Sequence, residues 1–175
     1  MTGLNPPLRA PVLRPSLGFL LAHPAHAIAL GFGAGLAPLM PGTVATAVSW
    51  MAYVLIADWF SAWQMGAFIA AATLVGWWAC ALTAEHMRVL DPVSIVWDEI
   101  ISFWIILWLV MPAGLAGQFA AFLLFRAFDT IKPGPIAWAD SLFNSFGWRG
   151  GFGILFDDLV AAGCTLLIVA LWRVA

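Results

Sequence analysis

The sequence predicts an all-α integral membrane protein with about five membrane-embedded helices and a polar site on its cytoplasmic face. The 175-residue chain is 63% hydrophobic and only 9% charged, and its mean hydropathy is +0.98. Eleven tryptophans and thirteen phenylalanines complete a composition outside the range of soluble domains. A net charge of −2 gives no reason to expect a nucleic-acid partner. We expect an N-terminal arm at residues 1–25 and a single membrane-embedded domain at 26–175.

Five apolar runs are candidates for these helices, judged by a rise of about 1.5 Å per residue and the thickness of a bilayer. They cover residues 43–57, 63–82, 94–110, 115–128 and 154–172. Basic residues collect at one set of run ends, and these are Arg9, Arg14, Arg88, Arg126, Lys132 and Arg149. The positive-inside rule places those ends in the cytoplasm, with Arg173 as the exception.

Five carboxylates lie where apolar runs meet polar segments: Asp98, Glu99, Asp129, Asp157 and Asp158. An unpaired carboxylate buried near hydrocarbon costs at least a few kcal/mol. Pairing, protonation or coordination of a divalent cation can offset this cost, and the cation is the best single candidate. The expected topology brings all five carboxylates to the cytoplasmic face.

A glycine-rich segment, GFGAGLAPLMPGT at 31–43, precedes the first run. Glycines at alternate positions let a backbone approach a ligand closely. Thr43, at a helix start, can offer a hydroxyl and free N–H groups to phosphate. A re-entrant turn with tight helix packing explains the same pattern equally well.

Asp98 and Glu99 end the segment DPVSIVWDE at 91–99. Adjacent acids on a helix point about 100° apart, so both reach one metal only near the helix start, or each serves a different partner. The plainer interpretation is capping, because acids in a first turn favour the helix dipole by ~0.3–1 kcal/mol. Asp91 fits that capping role better than Asp98 or Glu99.

Arg126, Asp129 and Lys132 are three residues apart in FRAFDTIKPGPI at 125–136, a spacing that stacks them on one helix face. A surface network of these charges is the plain alternative. Two facts favour a functional site: Asp129 lies at a helix C-terminus, where the dipole disfavours an acid, and Lys132 is the only lysine.

Asp157 and Asp158 follow a run of glycines in GGFGILFDDLVAAG at 150–163. This pattern predicts a flexible loop leading into two acids on the first turn of a membrane helix. Such a placement suits Mg²⁺, which proteins hold by one or two carboxylates together with waters and substrate phosphate. The histidines, His23, His26 and His86, have no spacing that indicates a zinc site and are expected at the membrane interface.

Taken together, these four segments resemble the signature blocks of the phosphatidylglycerophosphatase A family, in the same order, over about residues 26–170. The family comprises Mg²⁺-dependent lipid phosphatases of phospholipid biosynthesis that convert phosphatidylglycerophosphate to phosphatidylglycerol. The resemblance implies a multi-pass protein of the bacterial inner (cytoplasmic) membrane. It further implies the lipid bilayer and phosphatidylglycerophosphate as partners, and an active site on the cytoplasmic side.

The resemblance also assigns roles to individual residues. Its expected catalytic residues are Asp129, Asp157, Asp158 and Lys132. The expected phosphate-binding residues are Arg126 and Lys132, and the position of Thr43 at a helix start adds it to this set. The expected Mg²⁺ ligands are Asp98, Glu99, Asp129, Asp157 and Asp158. Whether water attacks phosphorus, or a carboxylate attacks to form an aspartyl-phosphate, stays open at this point.

Two other classes of protein fit the composition. An ion-coupled transporter also places acids in helices, but more often near the bilayer midplane than gathered at one end. A non-catalytic membrane subunit leaves the single lysine and the grouped acids unexplained. The sequence does not define the oligomeric state.

Overall fold

A computed structural model describes residues 13–111 and 113–174, and within these ranges it contains helices and no strands. The expected all-α class is confirmed for this part of the chain. Residues 1–12 of the expected arm, including Arg9, lie outside the described residues. The helices are α1 Leu17–Leu21, α2 Pro24–Ala29, α3 Pro41–Ala57, α4 Ala62–Met87, α5 Trp97–Val110, α6 Leu115–Ile131, α7 Gly134–Ser141 and α8 Gly147–Val174, with a 3-10 segment at Gly31–Leu36.

Helices α4 and α8 are long and apolar enough to cross a bilayer, by length and composition. Helix α3 is apolar but shorter. Helices α5 and α6 contain 14 and 17 residues. Of the five membrane-embedded helices that the sequence predicts, two thus have the required length, and the other three stay a prediction.

Helix α5 lies at the centre of the bundle and packs against α3, α4, α6 and α8. Its side chains Phe103, Ile106 and Leu107 are fully buried. The Trp104 indole Nε1–H donates a hydrogen bond of 2.8 Å to the backbone oxygen of Ser49 on α3. Burial of the helix and this hydrogen bond fix the position of α5, whose first turn carries two of the predicted site acids.

Small residues let neighbouring helices approach α4 closely. A Cβ atom on Gly76 would lie 2.0 Å from Cδ1 of Trp97, whose Nε1–H donates to the backbone oxygen of Ala72 at 3.1 Å. A Cβ atom on Gly151 would lie 2.6 Å from the Cβ of Ala81. These contacts set the distances from α4 to α5 and from α4 to α8.

The glycines before Asp157 are helical, so the flexible loop predicted there is wrong. Helix α8 begins at Gly147, and Asp157 lies well inside it rather than in its first turn. A Cβ on Gly153 would lie 2.7 Å from the Cβ of Phe143, so this glycine allows close packing. Glycine lowers helix propensity by only about 1 kcal/mol, a cost that tertiary contacts can outweigh.

All three histidines meet where α2 packs on α4, although their sequence positions do not predict it. His26 is 4% exposed; its Nδ1 lies 2.8 Å from the Phe19 backbone oxygen, and its Nε2 lies 2.8 Å from Nδ1 of His86. Because a carbonyl only accepts, His26 donates from Nδ1 and accepts from His86 at Nε2. The His23 ring lies 5.5 Å from the His26 ring. This cluster connects α1 and α2 to α4.

Gly76→Ala is expected to lower the free energy of unfolding by about 1–3 kcal/mol, because its methyl group would overlap the Trp97 ring. Gly163→Ala is the matched control, since a Cβ there meets open space. That control should raise stability by roughly 0.5–1 kcal/mol, as alanine favours a helix interior. Thermal unfolding in detergent, followed by circular dichroism, measures both. Equal loss in the two variants would contradict the packing role.

Stability is expected to fall as the pH drops below the ordinary histidine pKa of 6.5. Burial lowers the pKa of His26, and the nearby His86 and His23 lower it further against the opposing effect of its bond to Phe19. The folded chain therefore binds this proton less readily than the unfolded chain does. The contribution is complete above 6.5 and is lost as the pH falls through the lowered value.

The measurement is the thermal midpoint of the wild type and of His26→Gln across this pH range. The variant lacks the titrating group, so its midpoint should change less with pH than that of the wild type. Parallel curves for the two proteins would rule out His26 as the source of the effect.

Candidate active site

Four helices, the segment that precedes α5 and the turn after α6 surround one cavity of about 420 Å³. Its lining includes every residue for which the sequence predicts a site role: Thr43, Asp98, Glu99, Arg126, Asp129, Lys132, Asp157 and Asp158. Thr43 comes from the start of α3, and the acid pairs come from α5 and α8. The structure thus brings together four separate segments, while the role of each residue stays a prediction.

Asp98 and Glu99 lie in the first turn of α5, beside the backbone of α2. The Val96 N–H donates to the Ala29 backbone oxygen at 2.9 Å and fixes this turn. The two carboxyl groups contact each other, and Asp98 Oδ1 and Glu99 Oε2 are buried with no hydrogen-bond partner among the described residues. The helix dipole contributes only ~0.3–1 kcal/mol. That is too little to offset two buried carboxylates, so they need further positive charge or a shared proton.

Arg126 on α6 forms an ion pair with one of these acids. Its Nη1 lies 2.8 Å from Asp129 Oδ2 and 3.6 Å from Glu99 Oε1. These contacts are ion pairs without hydrogen-bond alignment, since Nη1 and Nε have no hydrogen-bond partner among the described side chains and backbone. The guanidinium therefore keeps donors that can bind a further anion, and a phosphate group suits its geometry.

Lys132 turns away from Asp129 and does not stack beneath it. It ends α6 in a left-handed conformation, with a φ of 45°, and its Nζ donates to Asp157 Oδ2 at 2.7 Å and to Asp140 on α7. Burial acts to lower the pKa of Lys132, but hydrogen bonds to Asp140 and Asp157 outweigh it and raise this pKa above its ordinary value. The ammonium group therefore stays charged and joins α6, α7 and α8.

Sequence reasoning missed three residues that shape this cavity. Asp140 forms an ion pair with Lys132. The sequence signal for this pair is weak, because it consists only of an acid soon after the single lysine. Gly42 leaves room for the Glu99 carboxylate, whereas the sequence shows this glycine only as part of the glycine-rich segment before Thr43. Asp91 lines the cavity, so the helix-capping role expected for it is wrong: the N-cap of α5 is Val96, with no side-chain cap.

The carboxylates form two groups of three in which one oxygen per residue lies within 4.8 Å of the others. The first group is Asp98, Glu99 and Asp158, and the second is Asp129, Asp157 and Asp158. Asp158 is 2% exposed, and its Oδ2 has no hydrogen-bond partner in the described part of the chain. Buried oxygen donors with free lone pairs fit a hard cation such as Mg²⁺.

In the described part of the chain, helices alone bring carboxylates and two basic side chains around one cavity, which defines a candidate phosphate-binding protein. The family model of phosphatidylglycerophosphatase A matches residues 27–173. The chain therefore belongs to the phosphatidylglycerophosphatase A family and is a phosphatase.

Two relatives carry the name phosphatidylglycerophosphatase A. The protein of Escherichia coli (strain K12) is 37% identical over 142 residues, which cover 81% of this chain and 78% of the relative. That of Haemophilus influenzae is 35% identical over 149 residues, covering 85% and 88%. A relative from Bacteroides thetaiotaomicron, provisionally named a phosphatidylinositol-3-phosphatase, is 32% identical over 153 residues, covering 83% and 91%. No solved structure matches this chain.

Gly42→Ala is expected to lower phosphatase activity roughly tenfold or more while leaving the fold intact. Its Cβ would lie 2.0 Å from Glu99 Oε1 and 3.0 Å from Arg126 Nη2, so the flexible Glu99 side chain must move. A misplacement of about 1 Å in a catalytic group can cost about 10²-fold in rate. Steady-state activity and thermal unfolding are both measured, with Gly163→Ala as the control. Unchanged activity in Gly42→Ala would show that the position of Glu99 is not critical.

Proposed function

We propose that this protein is a phosphatidylglycerophosphate phosphatase that releases the terminal phosphate to give phosphatidylglycerol in phospholipid biosynthesis. The observation that carries the proposal is the convergence on one cavity of the acidic and basic residues to which the sequence assigns site roles, in a chain of this family. The two relatives named phosphatidylglycerophosphatase A support the same lipid substrate.

We place the enzyme in the bacterial inner membrane with the cavity on the cytoplasmic side. The first turns of α3 and α5 and the last turn of α6 all lie at the cavity, so it sits at one end of these helices. Arg126 and Lys132 lie at that same end, and basic residues favour the cytoplasmic side. A substrate anchored by its acyl chains could present its headgroup there.

The cavity acids Asp98, Glu99, Asp129, Asp157 and Asp158 would hold Mg²⁺. Bound Mg²⁺ would polarise the phosphate oxygens and lower the pKa of a coordinated water. Arg126 would bind the phosphate through its free donors, and Lys132 would add a fixed positive charge. At the start of α3, Thr43 would add a hydroxyl and a backbone N–H that lacks a partner within the helix.

In the reaction, a nucleophile attacks phosphorus, the bond from phosphorus to the glycerol oxygen breaks, and that oxygen takes up a proton. Asp129 is the carboxylate best placed to act at phosphorus, because Arg126 beside it would hold the phosphate. It could accept the proton of an attacking water or attack phosphorus itself, forming an acyl phosphate that water then hydrolyses. Asp158 is more deeply buried and suits a ligand role.

One observation favours a second substrate. The relative from Bacteroides thetaiotaomicron carries a name for action on phosphatidylinositol 3-phosphate. This lipid also bears a phosphate monoester on a headgroup at a membrane surface. The same cavity chemistry would serve both lipids, so they must be compared directly.

The deciding experiment is phosphate release by the purified protein from phosphatidylglycerophosphate in mixed micelles. We expect release with Mg²⁺, none with a chelator, and recovery when Mg²⁺ is added back. Phosphatidylinositol 3-phosphate at equal surface concentration tests the second substrate. No release from either lipid, under conditions in which a control phosphatase works, would refute the proposed function, and faster release from the inositol lipid would reverse the substrate assignment.

Asp129→Asn should lower turnover by at least about 10²-fold, because the amide cannot act as a base or as a nucleophile. Asp58→Asn is the matched control, since Asp58 is exposed and caps the opposite end of α3. Turnover with saturating lipid and thermal unfolding are measured for both variants. Retained turnover in Asp129→Asn would remove this residue from the catalytic machinery.

A further inference from the structure

Asp158 is the one residue common to both groups of carboxylates. Adjacent residues on a helix point about 100° apart, so Asp157 and Asp158 face different neighbours on α8. Asp157 reaches Lys132, while Asp158 lies within reach of Asp98 and Glu99 on α5 and of Asp129 on α6. A carboxylate has two oxygens and can bind a different cation with each.

The charge of the cavity calls for more than one divalent cation. Six carboxylates line it, those already named and Asp91, against only Arg126 and Lys132 as basic residues. With all groups ionised, the lining carries an excess of four negative charges. One divalent cation would leave half of that excess to repel a phosphate dianion. Two divalent cations would remove it.

Each group also contains its own pair of touching carboxyls. Asp98 contacts Glu99 in the first group, and Asp129 contacts Asp158 in the second. Each group also has a buried oxygen without a hydrogen-bond partner among the described residues. Glu99 Oε2 belongs to the first group, and Asp158 Oδ2 belongs to both groups. A cation at one group alone would leave the like-charge contact in the other with only the partial compensation that Arg126 gives through Glu99 or Asp129.

We infer that the cavity binds two divalent cations, one at each group, and that the Asp158 carboxylate bridges them. Lys132 occupies Oδ2 of Asp157 and leaves Oδ1 as its ligand atom. The inference rests on the proposed function only for the identity of Mg²⁺ as the natural cation. Paired cations that share a carboxylate recur in enzymes that cleave phosphate esters.

The test is binding of Mn²⁺, a paramagnetic substitute for Mg²⁺, to the purified protein in detergent. Titration calorimetry or equilibrium dialysis gives the stoichiometry, and electron paramagnetic resonance reports whether the bound ions interact magnetically. We expect two ions per chain and the spectrum of an exchange-coupled pair. One ion per chain, or two without coupling, would overturn the inference.

Substitutions of single carboxylates show which residue binds which ion. Asp98→Asn and Asp129→Asn should each weaken one ion and leave the other. Asp158→Asn should weaken both by more than the roughly 10–100-fold loss that changes beyond the ligand shell can cause. Asp58→Asn should still bind two ions. Loss of only one ion in Asp158→Asn would overturn the bridging role, and circular dichroism shows which variants fold.

The wild-type measurement decides the inference even where a variant does not fold. Its outcome is also separable from that of the lipid assay. Phosphate release from phosphatidylglycerophosphate with a single bound ion would refute the paired site but not the function. Two coupled ions without phosphate release would refute the function but not the site.

Discussion

Negative charge inside an apolar bundle is the constraint on which this architecture depends. Carboxyl groups at such a place are tolerated only where they are protonated or where positive charge meets them. Arg126 provides part of it between α5 and α6, and Lys132 provides part of it between α6, α7 and α8. The helices that line the cavity are thus joined by ion pairs as well as by packing. The remaining excess of acid is what makes cations part of the proposed chemistry.

The sequence was informative where chemistry is concentrated in rare residues. Acids and a single lysine stand out in a chain that is 9% charged, and the family resemblance assigns them to one site. Helix extents were harder. The glycines before Asp157 predict a loop because helix propensity is a local property and glycine has little of it. Their helical conformation goes with packing against Phe143 and Ala81, and the sequence does not show these contacts.

Other features depend on contacts that a linear pattern does not contain. Asp140 reaches Lys132 only because α7 folds back after the left-handed end of α6, and α7 was not predicted at all. His26 and His86 are sixty positions apart, so their hydrogen bond carries no signal in local spacing. The acids, Arg126 and Lys132 could be recognised from sequence, but Asp140, which holds Lys132, could not.

The unused donors of Arg126 have a consequence for the order in which products leave. Under the proposed reaction, phosphatidylglycerol departs without the terminal phosphate, whereas inorganic phosphate keeps the charge that the guanidinium recognises. Cleavage removes the phosphate group through which the lipid would contact Arg126, so the lipid product can diffuse away in the bilayer. Inorganic phosphate must instead leave the cavity for the aqueous phase. The positive charge of Arg126 that binds the substrate phosphate would therefore also retain inorganic phosphate.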